Sequence, residues 1–365
     1  MPQLSMFAEH VYQTNPQIYT PLLFKVESLE EQERFREILN VNQQVEVLDT
    51  ITAQIKELIK LNNPSEKLTE RDYLKEINNY LNDRQSDFIG NWCYYPWSKK
   101  LVHLLPEDDF VKVRTNRNQL KITSQEQELL RQKTIGIIGL SVGQSVALTL
   151  VMERTCGKIK LADFDELDLS NLNRLRSGVH NIGIKKTLIA AREIAEIDPY
   201  ISVEIFSDGV TDENIDSFFK NLDLLVEVCD GLDMKVKARV KARDMKIPVV
   251  MDTNDRGMID IERFDLEPNR EILHGLVSEE EIQNLEKFNP QEKMALIMKI
   301  VSFENTSDRL KLSMSEIGKT IKTWPQLASS VMIGAGSGVD CCRRILLQQH
   351  NKSGRYYMDT LLMIN

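Results

Sequence analysis

The sequence lacks the features that mark secreted, zinc-stabilised or membrane-spanning proteins. Its 365 residues include five cysteines, none in a C-x-x-C pair: Cys93, Cys156, Cys229, Cys341 and Cys342. This spacing argues against a disulfide framework or a structural zinc site, so we expect a reducing, cytoplasmic environment. No segment approaches the roughly 20 apolar residues that span a bilayer. Residues 1–25 mix charged and polar side chains with apolar ones, so neither a signal peptide nor a membrane partner is predicted.

Positive charge is also scarce relative to negative charge. The chain carries 46 lysine and arginine residues against 55 aspartate and glutamate residues, and its formal net charge is -9. Non-specific binding to nucleic acid depends on neutralising phosphates with cations, so this balance argues against a nucleic-acid partner. With 42% hydrophobic residues, the chain can bury the cores of two domains, or of one large domain with an appendage.

Residues 1–110 are predicted to form a mainly helical N-terminal extension. Apolar residues recur at helical spacing in "SLEEQERFREIL", "QVEVLDTITAQIKELIKL" and "TERDYLKEINNYLND". The stretch that follows, "NWCYYPWSKKLVHLL", is rich in aromatic residues and is expected to be an extended connector. Aromatic side chains are first of all large apolar surfaces, so packing is favoured over partner recognition as their role.

Residues 111–365 are predicted to form an α/β domain. Beyond Thr123, the strand-like runs "TIGIIGL", "KIKLADFD", "SVEIFSD", "DLLVEVCD" and "IPVVMD" alternate with segments of helical spacing. Alternation of this length predicts βαβ units and a mostly parallel sheet with right-handed crossovers. A second glycine-rich stretch, "GAGSGVD" at residues 334–340, follows helical residues and is interpreted as close helix packing.

A turn of small residues follows the first of these strands. Gly139 ends the strand, and Ser141 and Gly143 follow it, so backbone N–H groups of the next helix can approach an anion. The run departs from G-x-G-x-x-G, and alone it fits a simple tight turn equally well. Asp163 ends the next strand, where an acid can accept hydrogen bonds from ribose hydroxyls. Together the two features predict a Rossmann-like nucleotide-binding domain.

Four segments, in this order, resemble the ThiF/MoeB/HesA superfamily of adenylating enzymes that activate ubiquitin-like proteins. They are "IIGLSVGQSVAL", "LADFDELDLSNLNR", "GIKK" and "EVCDGLD", and they fall within roughly residues 114–265. The resemblance is closest to ThiF-domain proteins that carry an N-terminal extension. It implies a ThiF-type adenylation domain over residues 111–365 that binds ATP and Mg²⁺.

The resemblance also implies roles for individual residues around the nucleotide. The residues implied in ATP binding are Gly139, Ser141, Gly143, Asp163, Asp165, Asn171, Arg174 and Lys186. Asp163 would hold the ribose, whereas Asn171, Arg174 and Lys186 would contact the phosphates. Asp165 would touch ATP or only order its loop. Asp230, at the end of "LLVEVCD", would bind Mg²⁺, and it is implied as catalytic together with Arg174 and Lys186.

Each of these polar residues also has a purely structural alternative. Lys186 could be a solvated lysine on a helix of mixed charge. Asp230 could be the N-cap of the next helix, and Arg174 could form a surface ion pair with Asp168. As an ordered set that matches one family, however, they favour an adenylation site.

Arg117 lies just before the predicted α/β domain, in "VRTNRNQL". In the family, an arginine of this region reaches across a homodimer to the partner's triphosphate, where its charge stabilises the reacting phosphates. The resemblance therefore implies Arg117 as a further catalytic residue and a homodimer as the functional unit. Residues 265–320, where thioester-forming relatives carry a cysteine, contain none, so no thioester on this chain is predicted.

The resemblance implies an ATP-dependent adenylyltransferase of the ubiquitin-like modifier-activating type. The activated carboxylate would belong to a ubiquitin-like protein, to a small molecule or, as in a tRNA-modifying dehydratase, to a tRNA base. Two alternatives from other classes remain open. One is an NAD(P)-dependent oxidoreductase, which the glycine turn and Asp163 would also serve. The other is a non-catalytic adaptor that binds a partner through residues 1–110.

Overall fold

The computed structural model describes residues 17–25, 31–33, 35–36 and 45–364. The chain divides into two compact units. The first unit extends to Ser124 and includes Asp198–Tyr200, and the second contains the remaining residues from Gln125 onward. The first helix predicted from the sequence, over residues 28–39, lies partly outside the described residues.

The described part of the first unit combines a four-stranded sheet with three α-helices. The strands are β1 (Leu22–Phe24), β2 (Glu46–Asp49), β3 (Asn91–Tyr95) and β4 (Lys100–Leu104), and the helices are α1 (Ile51–Asn62), α2 (Glu70–Leu81) and α3 (Glu107–Arg114). The strand order is β1-β3-β4-β2. Strand β3 is antiparallel to β1 and β4, whereas β2 is parallel to β4. In these described residues the helices contain more residues than the strands, and the aromatic-rich segment predicted to be extended forms β3 and β4.

One helix of the first unit begins later than the sequence predicts. The segment "EVLD" forms β2, because pairing with β4 satisfies its backbone hydrogen-bonding groups. The Asp49 side chain then accepts a hydrogen bond of 3.0 Å from the N–H of Ile51, at the start of α1. Helix α2 is present as predicted, and Thr69 and Asp72 cap its start reciprocally.

The aromatic residues of β3 lie in the interior of the first unit. Trp92 is 7% exposed and stacks on the ring of His103, with 4.1 Å between the ring centroids. The buried His103 lies between an oxygen of Asp49 at 3.0 Å and the carbonyl of Ile89 at 2.7 Å. These contacts support packing rather than partner recognition as the role of Trp92.

A seven-stranded sheet forms the centre of the second unit. The strands are β5 (Thr134–Ile138), β6 (Lys158–Ala162), β7 (Ser202–Phe206), β8 (Leu224–Glu227), β9 (Val249–Asp252), β10 (Met258–Glu262) and β11 (Gly354–Tyr357). Their order is β11-β10-β9-β8-β5-β6-β7. The strands from β9 to β7 are parallel, which confirms the predicted parallel sheet. Strands β10 and β11 add an antiparallel edge, because the connection from β9 to β10 is too short for a helical crossover.

Helices cover this sheet. In the described residues they are α4 (Ser124–Arg131), α5 (Leu140–Glu153), α6 (Lys186–Ile197), α7 (Ile215–Phe219), α8 (Leu232–Asp244), α9 (Glu279–Asn284), α10 (Pro290–Ile300), α11 (Asp308–Glu316), α12 (Ala328–Leu346) and α13 (Thr360–Ile364). The glycine-rich stretch at residues 334–340 lies inside α12, which confirms its interpretation as helix. Among the described residues, no helix combines the length and the apolar composition needed to cross a bilayer.

A buried ionic network anchors the end of β8. Glu227 and Arg239 are fully buried and form an ion pair, and Arg239 Nε also donates to Glu262 at 2.6 Å. Lys235 Nζ donates to both oxygens of Glu227 at 2.9 Å. Burial alone raises the pKa of Glu227, but the charges of Lys235 and Arg239 outweigh burial and hold the pKa at about 2. These ion pairs fix Glu227 at the end of β8, and Asp230 follows three residues later.

Candidate nucleotide and substrate site

The turn between β5 and α5 depends on two glycines. Gly139 is the N-cap of α5 and has φ +92°, and a Cβ there would lie 2.8 Å from the backbone of Cys229. Only glycine allows this turn to approach the end of β8 so closely. A Cβ on Gly143 would lie 2.6 Å from Ile137 Cγ2, so this glycine lets α5 pack on β5. Gly143 therefore affects the turn indirectly, because it allows the start of α5 to pack closely on β5.

Asp163 connects the glycine turn to the end of β6. Its Oδ2 accepts a hydrogen bond of 2.6 Å from the N–H of Leu140, and its Oδ1 accepts one of 2.8 Å from the N–H of Asp165. Burial raises the pKa of Asp163, and these hydrogen bonds and the charge of Lys186 oppose the rise. Each carboxylate oxygen has a second lone pair, so Asp163 can hold the turn and still accept from a hydroxyl.

Lys186 and Asp165 form a second connection at this edge of the sheet. The Lys186 side chain is 6% exposed, and its Nζ lies 2.7 Å from Asp165 Oδ2, whereas the Asp165 side chain is 52% exposed. The N–H of Lys186 also donates to the Asp165 carbonyl at 3.0 Å, just where α6 begins. Asp165 thus orders its loop and holds the lysine in place, which agrees with the second role considered for it.

The signature loop after β6 forms a 3₁₀ turn, Leu169–Asn173. Asn171 Oδ1 accepts a hydrogen bond of 3.0 Å from the N–H of Asp168, so this oxygen caps the turn. Asn173 Nδ2 donates to the carbonyl of Gln326 at 2.8 Å. The loop is therefore attached to the segment that precedes α12, and the sequence analysis assigned Asn173 no such role.

Arg174 lies over the start of α5. Its Nε and one terminal nitrogen donate to Ser141 Oγ at 3.2 and 2.9 Å, and the other terminal nitrogen donates to Asn173 Oδ1 at 2.9 Å. Burial lowers the pKa of Arg174, and the negative charge of Asp230 opposes that change. The predicted residues Ser141, Arg174 and Asp230 are thus brought together, and the contacts offer no surface ion pair with Asp168.

Asp230 follows β8 and is exposed. Within the described part of the chain, its carboxylate has no hydrogen bond or ion pair, so it is free to bind a cation. No cluster of three potential metal ligands is found among the described residues. Mg²⁺ in nucleotide sites usually has one or two protein carboxylates and completes its coordination with phosphate oxygens and water. A single free carboxylate beside Arg174 fits that requirement.

A cavity of about 460 Å³ adjoins Asp230. Val142 and Asp230 line it at the nucleotide end, and the loop after β9, the helices α10 and α11 and the segment before α12 form its other walls. Sequence reasoning missed this cavity, because its walls come from segments far apart in the chain. One signal was available: Asp252 ends a strand of the parallel sheet, at the edge where such sheets bind ligands.

Arg117 belongs to the first unit and lies in the 3₁₀ turn Asn116–Asn118. Its implied action on a partner's triphosphate therefore stays a prediction.

The ThiF family model matches residues 115–352, so the chain belongs to the ThiF family. This match confirms the resemblance and extends it from the four segments to most of the second unit. It also identifies the α/β unit with its glycine turn as the ThiF-type, Rossmann-like domain.

Named relatives cover only parts of this chain. An uncharacterised protein of Mycobacterium tuberculosis (strain CDC 1551 / Oshkosh) is 42% identical over 268 residues, which cover 73% of this chain and 38% of the relative. The tRNA threonylcarbamoyladenosine dehydratase of Bacillus subtilis (strain 168) is 26% identical over 153 residues, which cover 41% of this chain and 60% of that enzyme. This chain therefore spans less than two thirds of either relative.

Among solved structures, the E. coli tRNA N6-threonylcarbamoyladenosine dehydratase in complex with AMP has a TM-score of 0.49 and 17% sequence identity. The match covers 65% of this chain and 95% of that one. Family membership rests on the family model rather than on this comparison.

Proposed function

We propose that this chain uses ATP to adenylate a carboxylate, producing an acyl-adenylate and pyrophosphate. The observation that carries the proposal is Arg174, held on Ser141 at the start of α5 and close to the unpaired Asp230. Membership of the ThiF family, whose members are ATP-using adenylyltransferases, supports it. The substrate would be the C-terminus of a ubiquitin-like protein or a small carboxylate.

Different residues of the site are proposed to contact different parts of ATP. Asp163 accepts hydrogen bonds from the ribose while it keeps the turn in place. Arg174 and Lys186 bind phosphate oxygens in different ways, because a guanidinium grips two oxygens and an ammonium acts as a point charge. Lys186 must exchange its contact with Asp165 for a contact with phosphate. Asn171 keeps the loop rigid and can offer its amide N–H₂ group to the phosphates.

Asp230 is the residue that would hold Mg²⁺, and the ion, when bound, would supply positive charge to the phosphates. Asp230 is available for this role because no side chain among the described residues forms a hydrogen bond or ion pair with it. Arg174 lies close enough to Asp230 for their charges to interact, so the cation and the carboxylate can act on the same triphosphate.

The nucleophile that receives the acyl group is proposed to come from outside this chain. Cys229 lines the cavity, but burial, followed by the charge of Glu227, raises the pKa of its thiol. A thiol that stays protonated is a poor nucleophile, so the position does not support a thioester. This agrees with the absence of a cysteine in the region where thioester-forming relatives carry one.

Carboxylate-dependent exchange of pyrophosphate into ATP tests the proposal directly. Replacing Arg174 by alanine is expected to lower exchange by about 100-fold or more, because a charge that stabilises the reacting phosphates is lost. Arg176→Ala is the matched control, since Arg176 is exposed and lies two residues away, and it should retain exchange.

Three results would contradict the proposal. Exchange in Arg174→Ala equal to that in Arg176→Ala would remove Arg174 from the site. Binding of NAD without binding of ATP would favour the oxidoreductase, and binding of neither nucleotide would favour the adaptor.

A further inference from the structure

The cavity beside Asp230 has three buried oxygens that lack a partner. Among the described residues, Asp252 Oδ2, Asn254 Oδ1 and Gln326 Oε1 are buried without a hydrogen bond, and all three residues line this cavity. None of the unpartnered buried nitrogens of the described residues lines it. Buried polar atoms are nearly always hydrogen-bonded, so three acceptors in the walls of one cavity favour a ligand that donates hydrogen bonds.

The residue that carries most of this argument is Asp252. It is 6% exposed and lies at the end of β9, where its Oδ1 accepts a hydrogen bond of 2.9 Å from the N–H of Asn254. Its carboxylate lies against Gly334 of α12, where any side chain would overlap it. A buried carboxylate without a cation is costly, and a ligand that brings a positive charge would offset that cost.

The charged groups around the cavity also favour a cationic ligand. Lys235 lines the cavity, but both oxygens of Glu227 already neutralise it at 2.9 Å. Arg309 also lines the cavity, but it is exposed. Two further carboxylates line the cavity besides Asp252, namely Asp230 and Asp255. Asp230 is exposed and Asp255 already accepts hydrogen bonds from Ser307, so the buried negative charge of the cavity is that of Asp252, for which the described residues form no ion pair.

The remaining walls are mostly apolar and fit a small molecule. Met251, Met258, Ile297, Leu310 and Trp324 are among the lining residues. A volume of about 460 Å³ lies within the range of roughly 300–1,000 Å³ that small-molecule sites occupy. Such walls would cover an apolar body while the oxygens at Asp252 receive a polar group.

We propose that this cavity binds the carboxylate substrate and that the substrate is a small aminocarboxylate with an apolar body, whose ammonium group is held by Asp252, Asn254 and Gln326. An ammonium has three N–H donors and a positive charge, so it suits a wall that offers a carboxylate and two amide oxygens. The substrate's carboxylate would lie at the end of the cavity beside Asp230, next to the phosphates. The inference rests on the proposed adenylation and names the substrate class for that site.

Calorimetric titration of the full chain, saturated with a non-hydrolysable ATP analogue and Mg²⁺, tests the inference. The probes are L-methionine, L-phenylalanine and 6-aminohexanoate, each paired with its N-acetyl derivative, which keeps the carboxylate and loses the charge. At least one free amine should bind about tenfold or more tightly than its N-acetyl derivative. Asp252→Asn, which keeps shape but removes charge, should abolish that preference. Gln326→Leu should weaken it and serves as the second variant if Asp252→Asn does not fold.

Asp308→Asn is the matched control, because Asp308 is exposed on the neighbouring α11 and does not line the cavity. It should bind the probes as the unmodified chain does. Equal binding of amines and N-acetyl derivatives, an unchanged preference in Asp252→Asn, or no binding of any probe would overturn the inference. Pyrophosphate exchange with some other carboxylate, such as a protein C-terminus, would then leave the adenylation proposal standing. Binding of the amines without any exchange would support the pocket and contradict adenylation.

Discussion

At the scale of single residues, the cost of burying Asp252 has a measurable consequence for stability. Burial raises the pKa of Asp252 to about 6 from its usual 3.8, and the hydrogen bond from Asn254 only partly opposes the rise. The folded chain therefore holds this proton up to a higher pH than the unfolded chain does. The penalty is absent below about pH 4, grows between the two pKa values and is complete above them.

We therefore predict that Asp252→Asn stabilises the protein at neutral pH. Two pKa units correspond to about 3 kcal/mol, so the free energy of unfolding should rise by about 1–3 kcal/mol near pH 7.5. Urea denaturation near pH 7.5 and near pH 4 measures this difference, and the gain should disappear at the lower pH. A loss of stability near pH 7.5 would mean that the carboxylate already has a favourable partner.

The same residue would then contribute to binding at the expense of stability. Asp252 lies beside a cavity and forms no ion pair with any described residue, which is a pattern expected of functional rather than structural carboxylates. Glu227 is the opposite case, since Lys235 and Arg239 neutralise it fully. Both carboxylates are buried, so what differs between Asp252 and Glu227 among the described residues is the paired cation.

At the scale of elements, helix α12 contains three glycines, and two of them, Gly334 and Gly336, have different surroundings. A Cβ on Gly334 would overlap the carboxylate of Asp252, whereas a Cβ on Gly336 would meet nothing within 4 Å. Both glycines lie inside the helix, where glycine is about 1 kcal/mol less favourable than alanine. The two positions therefore form a natural pair for substitution.

We predict opposite effects of alanine at these positions. Gly334→Ala should lower the free energy of unfolding by about 1–3 kcal/mol, because α12 or Asp252 must move. Gly336→Ala should leave stability unchanged or raise it by up to about 1 kcal/mol. Chemical denaturation of both variants measures the difference. Equal stability of the two variants would show that the carboxylate can rearrange without cost.

The elements that are proposed to hold the nucleotide are connected to one another by side chains. The glycine turn, the end of β6 and the start of α6 are connected by Asp163 and by the pair of Asp165 and Lys186. All three belong to the edge formed by the carboxyl ends of parallel strands, where helix N-termini and loops converge. Asp163, Asp165 and Lys186 connect neighbouring turns, so each side chain stabilises the local structure besides its proposed role in ATP binding.

At the scale of the whole molecule, the proposed homodimer predicts complementation between two inactive variants. Arg117→Ala and Asp230→Ala should each be nearly inactive in pyrophosphate exchange, because each lacks a charge at both sites. Mixing them should form some heterodimers in which one site has Asp230 from its own chain and Arg117 from the partner. Exchange should then partly return.

The mixing experiment has a clear negative outcome. If Arg117 acts on the site of its own chain, every site in the mixture lacks Arg117 or Asp230, and no activity returns. Mixing Arg117→Ala with Lys186→Ala provides a second test of the same geometry, since Lys186 also belongs to the nucleotide site. Failure in both mixtures would remove the trans-acting role of Arg117.

The order of strands and helices in the second unit could be predicted from the sequence alone. Apolar runs bounded by helical segments are local patterns, and the five predicted strands are all present in one parallel arrangement. The family could be predicted too, because four segments, among them "LADFDELDLSNLNR" and "EVCDGLD", resemble it in the expected order. The order of elements and the family segments both depend on residues that are close together in the chain, so they can be recognised in the sequence.

What only the tertiary structure decided is which residues meet across long separations. The strand at Glu46–Asp49 forms because it pairs with β4, and no local pattern distinguishes it from the start of a helix. The cavity joins Asp252 after β9, Gln326 before α12 and Asp230 after β8, whereas their spacing in the sequence shows no motif. The role of a carboxylate depends on whether a cation lies beside it, and folding alone brings the two together or keeps them apart.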